Sequence, residues 1–136
     1  MQQQAISHME KVLELKPDHA EALNYLGYTW AENNVNLEQA LEYIQKSMNL
    51  KPGSGYIQDS LGWVYFRMGK LDLAIKEILA ALLLEPNDPN IYEHLGDIYQ
   101  KQGKKRKAEE AYIKAEQLFT TKIGKNRMQE KLNELQ

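Results

Sequence analysis

Apolar side chains recur along this 136-residue chain at intervals of three and four, the spacing that lines up one face of an α-helix. Ile57, Leu61, Val64, Tyr65 and Met68 form one such stripe. The pattern is interrupted at Pro17, at the cluster of Asn33, Asn34 and Asn36, and at Pro52, Gly69, Pro86 and Gly103. Proline cannot extend a helix, glycine supplies left-handed helix ends, and asparagine tolerates turns and caps well. The pattern therefore predicts eight helices, over about 3–16, 19–32, 37–50, 55–68, 71–84, 89–102, 105–118 and 121–135. Asp18 is expected to cap the second helix, with Glu21 completing a capping box. Asn36, Ser54 and Asp88 are the expected N-caps of later helices, and Pro89 suits a first helical position.

The helices are also copies of one another. Leu26-Gly27, Leu61-Gly62 and Leu95-Gly96 lie 35 and then 34 residues apart, each followed three residues on by an aromatic (Trp30, Tyr65, Tyr99). Small residues follow at Ala40, Ala74 and Ala108, and again at Ser47, Ala81 and Ala115, with Pro52 and Pro86 closing two units. Self-similarity at this period means a solenoid of stacked helix pairs. The glycines are read as sites of close approach to Ala40, Ala74 and Ala108 on the paired helix. The one extra residue of the first unit falls in the asparagine turn, where an insertion leaves the helix faces in register.

Leu-Gly, an aromatic at plus three, two alanines and a proline resemble the tetratricopeptide repeat. The resemblance implies an all-α fold, a right-handed superhelical solenoid of antiparallel helix pairs, in one domain over 1–136. Residues 1–17 match the second helix of a truncated repeat. Three full repeats follow over 20–54, 55–88 and 89–119, with a capping helix over 120–136. A chain that starts mid-repeat is expected to be a fragment of a larger bacterial protein, and Ile6, Met9 and Leu13 would then lack their usual cover. A weak homodimer through residues 5–15 follows as an expectation. The tail stripe Ile123, Met128, Leu132 and Leu135 is expected to cover the third repeat.

Composition narrows the functional classes. A net charge of −2 gives no strong pull toward nucleic acid or membranes, and no cysteine is available for disulfides or thiolate metal sites. No apolar run approaches the ~18 residues of a membrane span. His8, His19 and His94 fall in different units without metal-ligand spacing. Gly53-Ser54-Gly55 lacks the Lys-Ser/Thr ending and preceding strand of a phosphate loop. Neither catalysis nor a cofactor is expected. Lys104, Lys105, Arg106 and Lys107, with Lys122, Lys125, Arg127 and Lys131, make the C-terminal end basic. The pattern suits a solvated end better than a nucleic-acid surface, because the spare aromatics lie on another face.

By the resemblance, the first helix of each pair lines a concave surface. The candidate binding residues there are Asn24 and Tyr28 in the first repeat, and Tyr56, Asp59, Trp63, Phe66 and Arg67 in the second. Glu93, His94, Asp97 and Lys101 complete the set in the third. Tyr56, Trp63 and Phe66 fall outside the packing stripe, so they are expected to anchor a peptide or protein segment, oriented by Asp59, Asp97 and Arg67. The cationic clamp by which some members hold chaperone carboxylates is missing here.

Overall fold

Residues 2–136 are described by a computed structural model, and they form eight helices. These are α1 (Gln2–Leu15), α2 (Ala20–Glu32), α3 (Leu37–Leu50), α4 (Gly55–Arg67), α5 (Leu71–Leu84), α6 (Pro89–Lys101), α7 (Lys105–Leu118) and α8 (Lys122–Glu134). Local chemistry sets most of the boundaries. Ser54 accepts from the Ile57 N–H, and Asp88 from the Asn90 and Ile91 N–H groups. Gly69 and Gly103 adopt φ of 80° and 78° at the turns inside the second and third pairs, where a side chain would be strained. In the first pair two left-handed asparagines, Asn34 and Asn36, absorb the extra residue. Asn36 stands at the N-cap, but its left-handed backbone leaves its side chain without a capping bond.

The second helix is capped differently from expectation. His19, not Asp18, is the N-cap, and its Nδ1 accepts from the Ala22 N–H at 3.1 Å. Asp18 lies one residue outside and pairs with Lys46. Glu21 pairs with Lys51 at 2.7 Å instead of reaching back to the cap.

Pairing follows the repeat. Helices α2 and α3, α4 and α5, and α6 and α7 pack as hairpins, and the second helix of each hairpin packs on the first helix of the next, with first helices also touching. A Cβ on Gly62 would lie 2.7 Å from Ile78 Cδ1 and 3.2 Å from the Ala74 carbonyl oxygen. The glycine's opposite number is therefore chiefly the large side chain one turn beyond the alanine, Ile78 here, Ile44 for Gly27 and Tyr112 for Gly96. Ala40, Ala74 and Ala108 are nonetheless wholly buried. Ser47, also buried, donates from its hydroxyl to the Ala20 carbonyl at 2.7 Å.

Both ends of the solenoid depart from expectation. Ile6, Met9 and Leu13 are not bare: they are half-buried against the core formed by α2, α3 and α4. Helix α1 turns its apolar stripe toward the following unit, so its outward face carries Gln3, Gln4, Ser7, His8, Lys11 and Glu14. The apolar face on which the homodimer expectation rested is thereby covered. At the other end Met128 is buried and Leu132 and Leu135 pack beside it, while Ile123 is 77% exposed and points away from the third repeat. Gly124 takes the contact instead, against Phe119.

Candidate functional site

The concave surface is built from α2, α4, α6 and α8 and holds a cavity of about 920 Å³. The repeat period runs through it as two ladders. One climbs Asn24, Asp59, Glu93 and Arg127, the other Tyr28, Trp63, Asp97 and Lys131, and all eight residues line the cavity. Helix α8 thus presents its side chains as the first helix of a further unit would.

The C-terminal half of this surface is closed by ion pairs. Arg127 donates from Nε and Nη2 to the two Glu93 carboxylate oxygens, both at 2.8 Å. This fork geometry is the strong form of the pair. Lys131 bridges Glu93 at 2.8 Å and Asp97 at 2.9 Å, and the buried Tyr112 hydroxyl donates to Asp97 at 2.6 Å. Burial pushes the Glu93 carboxyl up, but Arg127 and Lys131 outweigh it and hold it below the usual carboxylate range. Burial likewise pushes Lys131 down, and Asp97 and Glu93 raise it overall.

The centre is occupied by His94. Its Nδ1–H donates to Asp59, with the two carboxylate oxygens at 2.9 and 3.1 Å, and its Nε2 lies 3.3 Å from the Tyr28 hydroxyl. Its ring stacks on Trp63, centroids 4.1 Å apart and planes inclined by 24°. Burial lowers the imidazole's proton affinity, but Asp59, with Asp97 and Glu93 behind it, more than offsets this and raises it above the ordinary histidine value. Burial and nearby Glu32 push the Tyr28 phenol up.

The N-terminal half is open. Tyr56 is 60% exposed, Tyr25 and Tyr28 are half-buried, and Asn24 Oδ1 has no hydrogen-bond partner within the protein.

Against this geometry the sequence-predicted residues divide. Asn24, Tyr28, Tyr56, Asp59, Glu93, His94 and Asp97 are brought together around the cavity. Trp63 also borders it but is only 5% exposed, because His94 lies over one side and Phe66 packs at 4.8 Å. It is floor, not a projecting anchor. Phe66, Arg67 and Lys101 line an adjoining depression that shares Glu32, Trp63 and Asp97 with the cavity. Arg67 is engaged at the end of α2, donating from Nε to the Ala31 carbonyl at 3.0 Å and from Nη2 to the Glu32 carbonyl at 3.4 Å. It cannot orient a ligand as expected while held there. Arg127 and Lys131 correct the reading of the basic tail, since both turn into the groove. The missed signal was the period itself: 34 residues beyond Glu93 and Asp97 stand Arg127 and Lys131.

Among the described residues no helix is long and apolar enough to cross a membrane, and no group of three or more His, Asp or Glu is placed to hold a metal ion.

Comparison with known proteins agrees with this architecture. A TPR repeat model matches residues 62–103, and tetratricopeptide repeat models match residues 3–54 and 89–119. The chain belongs to the tetratricopeptide repeat family. A TPR repeat-containing protein of Pseudomonas aeruginosa is 41% identical over 81 residues, covering 57% of this chain. The chain spans only 14% of the length of that relative. Among solved structures, MamA superposes with a TM-score of 0.74 at 28% identity, over 96% of this chain and 74% of that one. The type III secretion translocator chaperone SycD of Yersinia enterocolitica gives 0.75 at 21% identity, over 88% of this chain and 85% of that one, a likeness of fold. In this tetratricopeptide repeat chain, then, the first helices of successive repeats carry the concave surface and the second helices its back. That back is unusually apolar on α5, where Leu73, Leu79, Leu83 and Leu84 are exposed.

Proposed function

We propose that this chain is a non-catalytic protein-interaction module whose concave surface holds a peptide or protein segment, chiefly through its N-terminal half. The observation that carries this reading is the open tyrosine cluster beside a cavity large enough for several side chains. Tyrosine offers a large, stiff apolar body with a polar tip, and it is enriched among residues that dominate binding. Tyr56 projects, and Tyr25 and Tyr28 flank it. An apolar or aromatic side chain of the bound segment would cover the rings. The fold supports the reading, because a short solenoid's curved face is its principal binding surface.

The two other readings have less support. Assembly through α1 needs an apolar outer face, and apart from Leu15 at its end the fully exposed residues there are polar. Nucleic acid or another acidic partner at the basic end would have only Lys104–Lys107 and the outer lysines of α8, since Arg127 and Lys131 are paired with Glu93 and Asp97.

The test is selection of peptides from a displayed library against the intact chain, followed by titration of the selected peptides into variants. Tyr56→Ala is expected to weaken them by about 2 kcal/mol, as for an interface anchor. Selected peptides that ignore Tyr56→Ala and Tyr25→Ala, yet are lost on changing Leu83 on the convex side, would overturn the assignment.

A further inference from the structure

His94 makes contacts that no other side chain of the groove makes. It belongs to α6 in the third repeat, yet it hydrogen-bonds Asp59 of α4 in the second and Tyr28 of α2 in the first, a partner 66 residues away. Between these bonds its ring lies flat on Trp63 of α4. A single buried imidazole therefore ties all three repeats together across the concave face. Repeat solenoids are quasi-one-dimensional, each unit touching mainly its neighbours, so a bond from first to third unit bears directly on curvature.

We propose that His94 is the positioning residue that sets the width of the groove, and that it does so as an imidazolium whose proton closes the clasp between the three repeats. In that form both ring nitrogens donate: Nδ1–H to the Asp59 carboxylate and Nε2–H to the Tyr28 oxygen. Tyr28 then keeps its own proton for a further acceptor such as Glu32. A charged ring over the indole face also gains a cation–π contribution. In the neutral ring Nδ1–H still reaches Asp59, but Nε2 becomes an acceptor and must take the Tyr28 proton. The bond to Asp59 loses one of its two charges, and Tyr28 can no longer serve Nε2 and Glu32 together.

The surroundings favour the charged form. Facing the ring or close behind it are Tyr28 on α2, Asp59 on α4, and Glu93 and Asp97 on α6. Arg127 and Lys131 on α8 are committed to Glu93 and Asp97, leaving Asp59 without a cation other than His94. The raised proton affinity of the imidazole is consistent with this arrangement. For such a group the bonus to the closed state is full below the unfolded value of about 6.5 and disappears as pH rises through the higher folded value.

The inference deepens the groove reading, but its test needs no ligand, so the two can fail separately. The intact chain is titrated from acid to alkaline pH, following the His94 ring resonances, the Trp63 indole N–H resonance and the radius of gyration by small-angle scattering. His94 should titrate above ~6.5, the ordinary histidine value. Trp63 and the radius of gyration should change with the same midpoint. Asp59→Asn should move that midpoint down by about one unit or more, the usual size for loss of a contacting opposite charge. In His94→Gln both groove signals should be flat over this range while helix content is kept. Should that variant not fold, Tyr28→Phe must leave His94 titrating and abolish the change in radius. A His94 midpoint at or below the ordinary value, or a Trp63 signal and radius that ignore its titration, overturns the proposal.

Discussion

The two halves of the concave surface differ in how far their side chains are paired within the solenoid. Toward the C-terminus, Glu93 and Asp97 stand opposite Arg127 and Lys131, and every charge finds an internal partner. Toward the N-terminus, Tyr56 projects into solvent and Tyr25 lines the cavity half-buried. A side chain paired within the solenoid stitches one unit to the next, whereas one left unpaired is available to a second molecule. Residues of one concave face are therefore not equivalent in function, and the difference lies in whether a partner stands on a neighbouring unit.

Changes to the two halves should separate stability from binding. The largest effect is expected at their boundary. Trp63→Ala removes a buried ring from beneath His94 and should cost about 3–5 kcal/mol in chemical denaturation, as for large aromatic deletions. Gly62→Leu should cost at least about 1–3 kcal/mol, the usual range for overpacking. Its first added carbon already meets Ile78 and the added branches have no room, so local loss of the α4–α5 hairpin should be visible by hydrogen exchange.

In the closed half, Glu93→Ala should cost about 1.5–3 kcal/mol, the range for hydrogen bonds to charged groups. The loss has a definite pH dependence. The folded Glu93 carboxyl is depressed, so its contribution is present above the unfolded glutamate value of about 4.3 and disappears as pH falls through the lower folded value. Glu93→Gln should therefore be less stable than wild type at neutral pH and converge with it in acid, measured by thermal melts across that range. The smallest effect on stability is expected in the open half. Tyr56→Ala should shift the melting free energy by no more than about 0.5 kcal/mol, as for an exposed position without special contacts.

The repeats were legible because their signals answer backbone demands. Gly27, Gly62 and Gly96 recur where helices nearly touch, and Ser54 and Asp88 where helices begin. The site was legible only as a face. The resemblance set Asn24, Tyr28, Asp59, Glu93, His94 and Asp97 on one face, where they line one cavity, but a repeat pattern carries no information on depth. Trp63 is covered by a ring from the next repeat, and Arg67 is drawn off by carbonyls of the previous one. Both outcomes depend on groups 31 to 36 residues away, across a unit boundary. The inward turn of Ile6, Met9 and Leu13 was hidden for a related reason: an apolar stripe shows that a face is buried, not which neighbour buries it.

The separation of the two halves is tested most directly by one calorimetric experiment. A peptide selected against the wild-type chain is titrated into Tyr56→Ala and into Glu93→Gln, both at a temperature where each variant is folded. The account predicts that Tyr56→Ala loses about 2 kcal/mol of affinity, while Glu93→Gln keeps wild-type affinity despite its lower stability. Equal losses in the two variants, or a loss confined to Glu93→Gln, would contradict it.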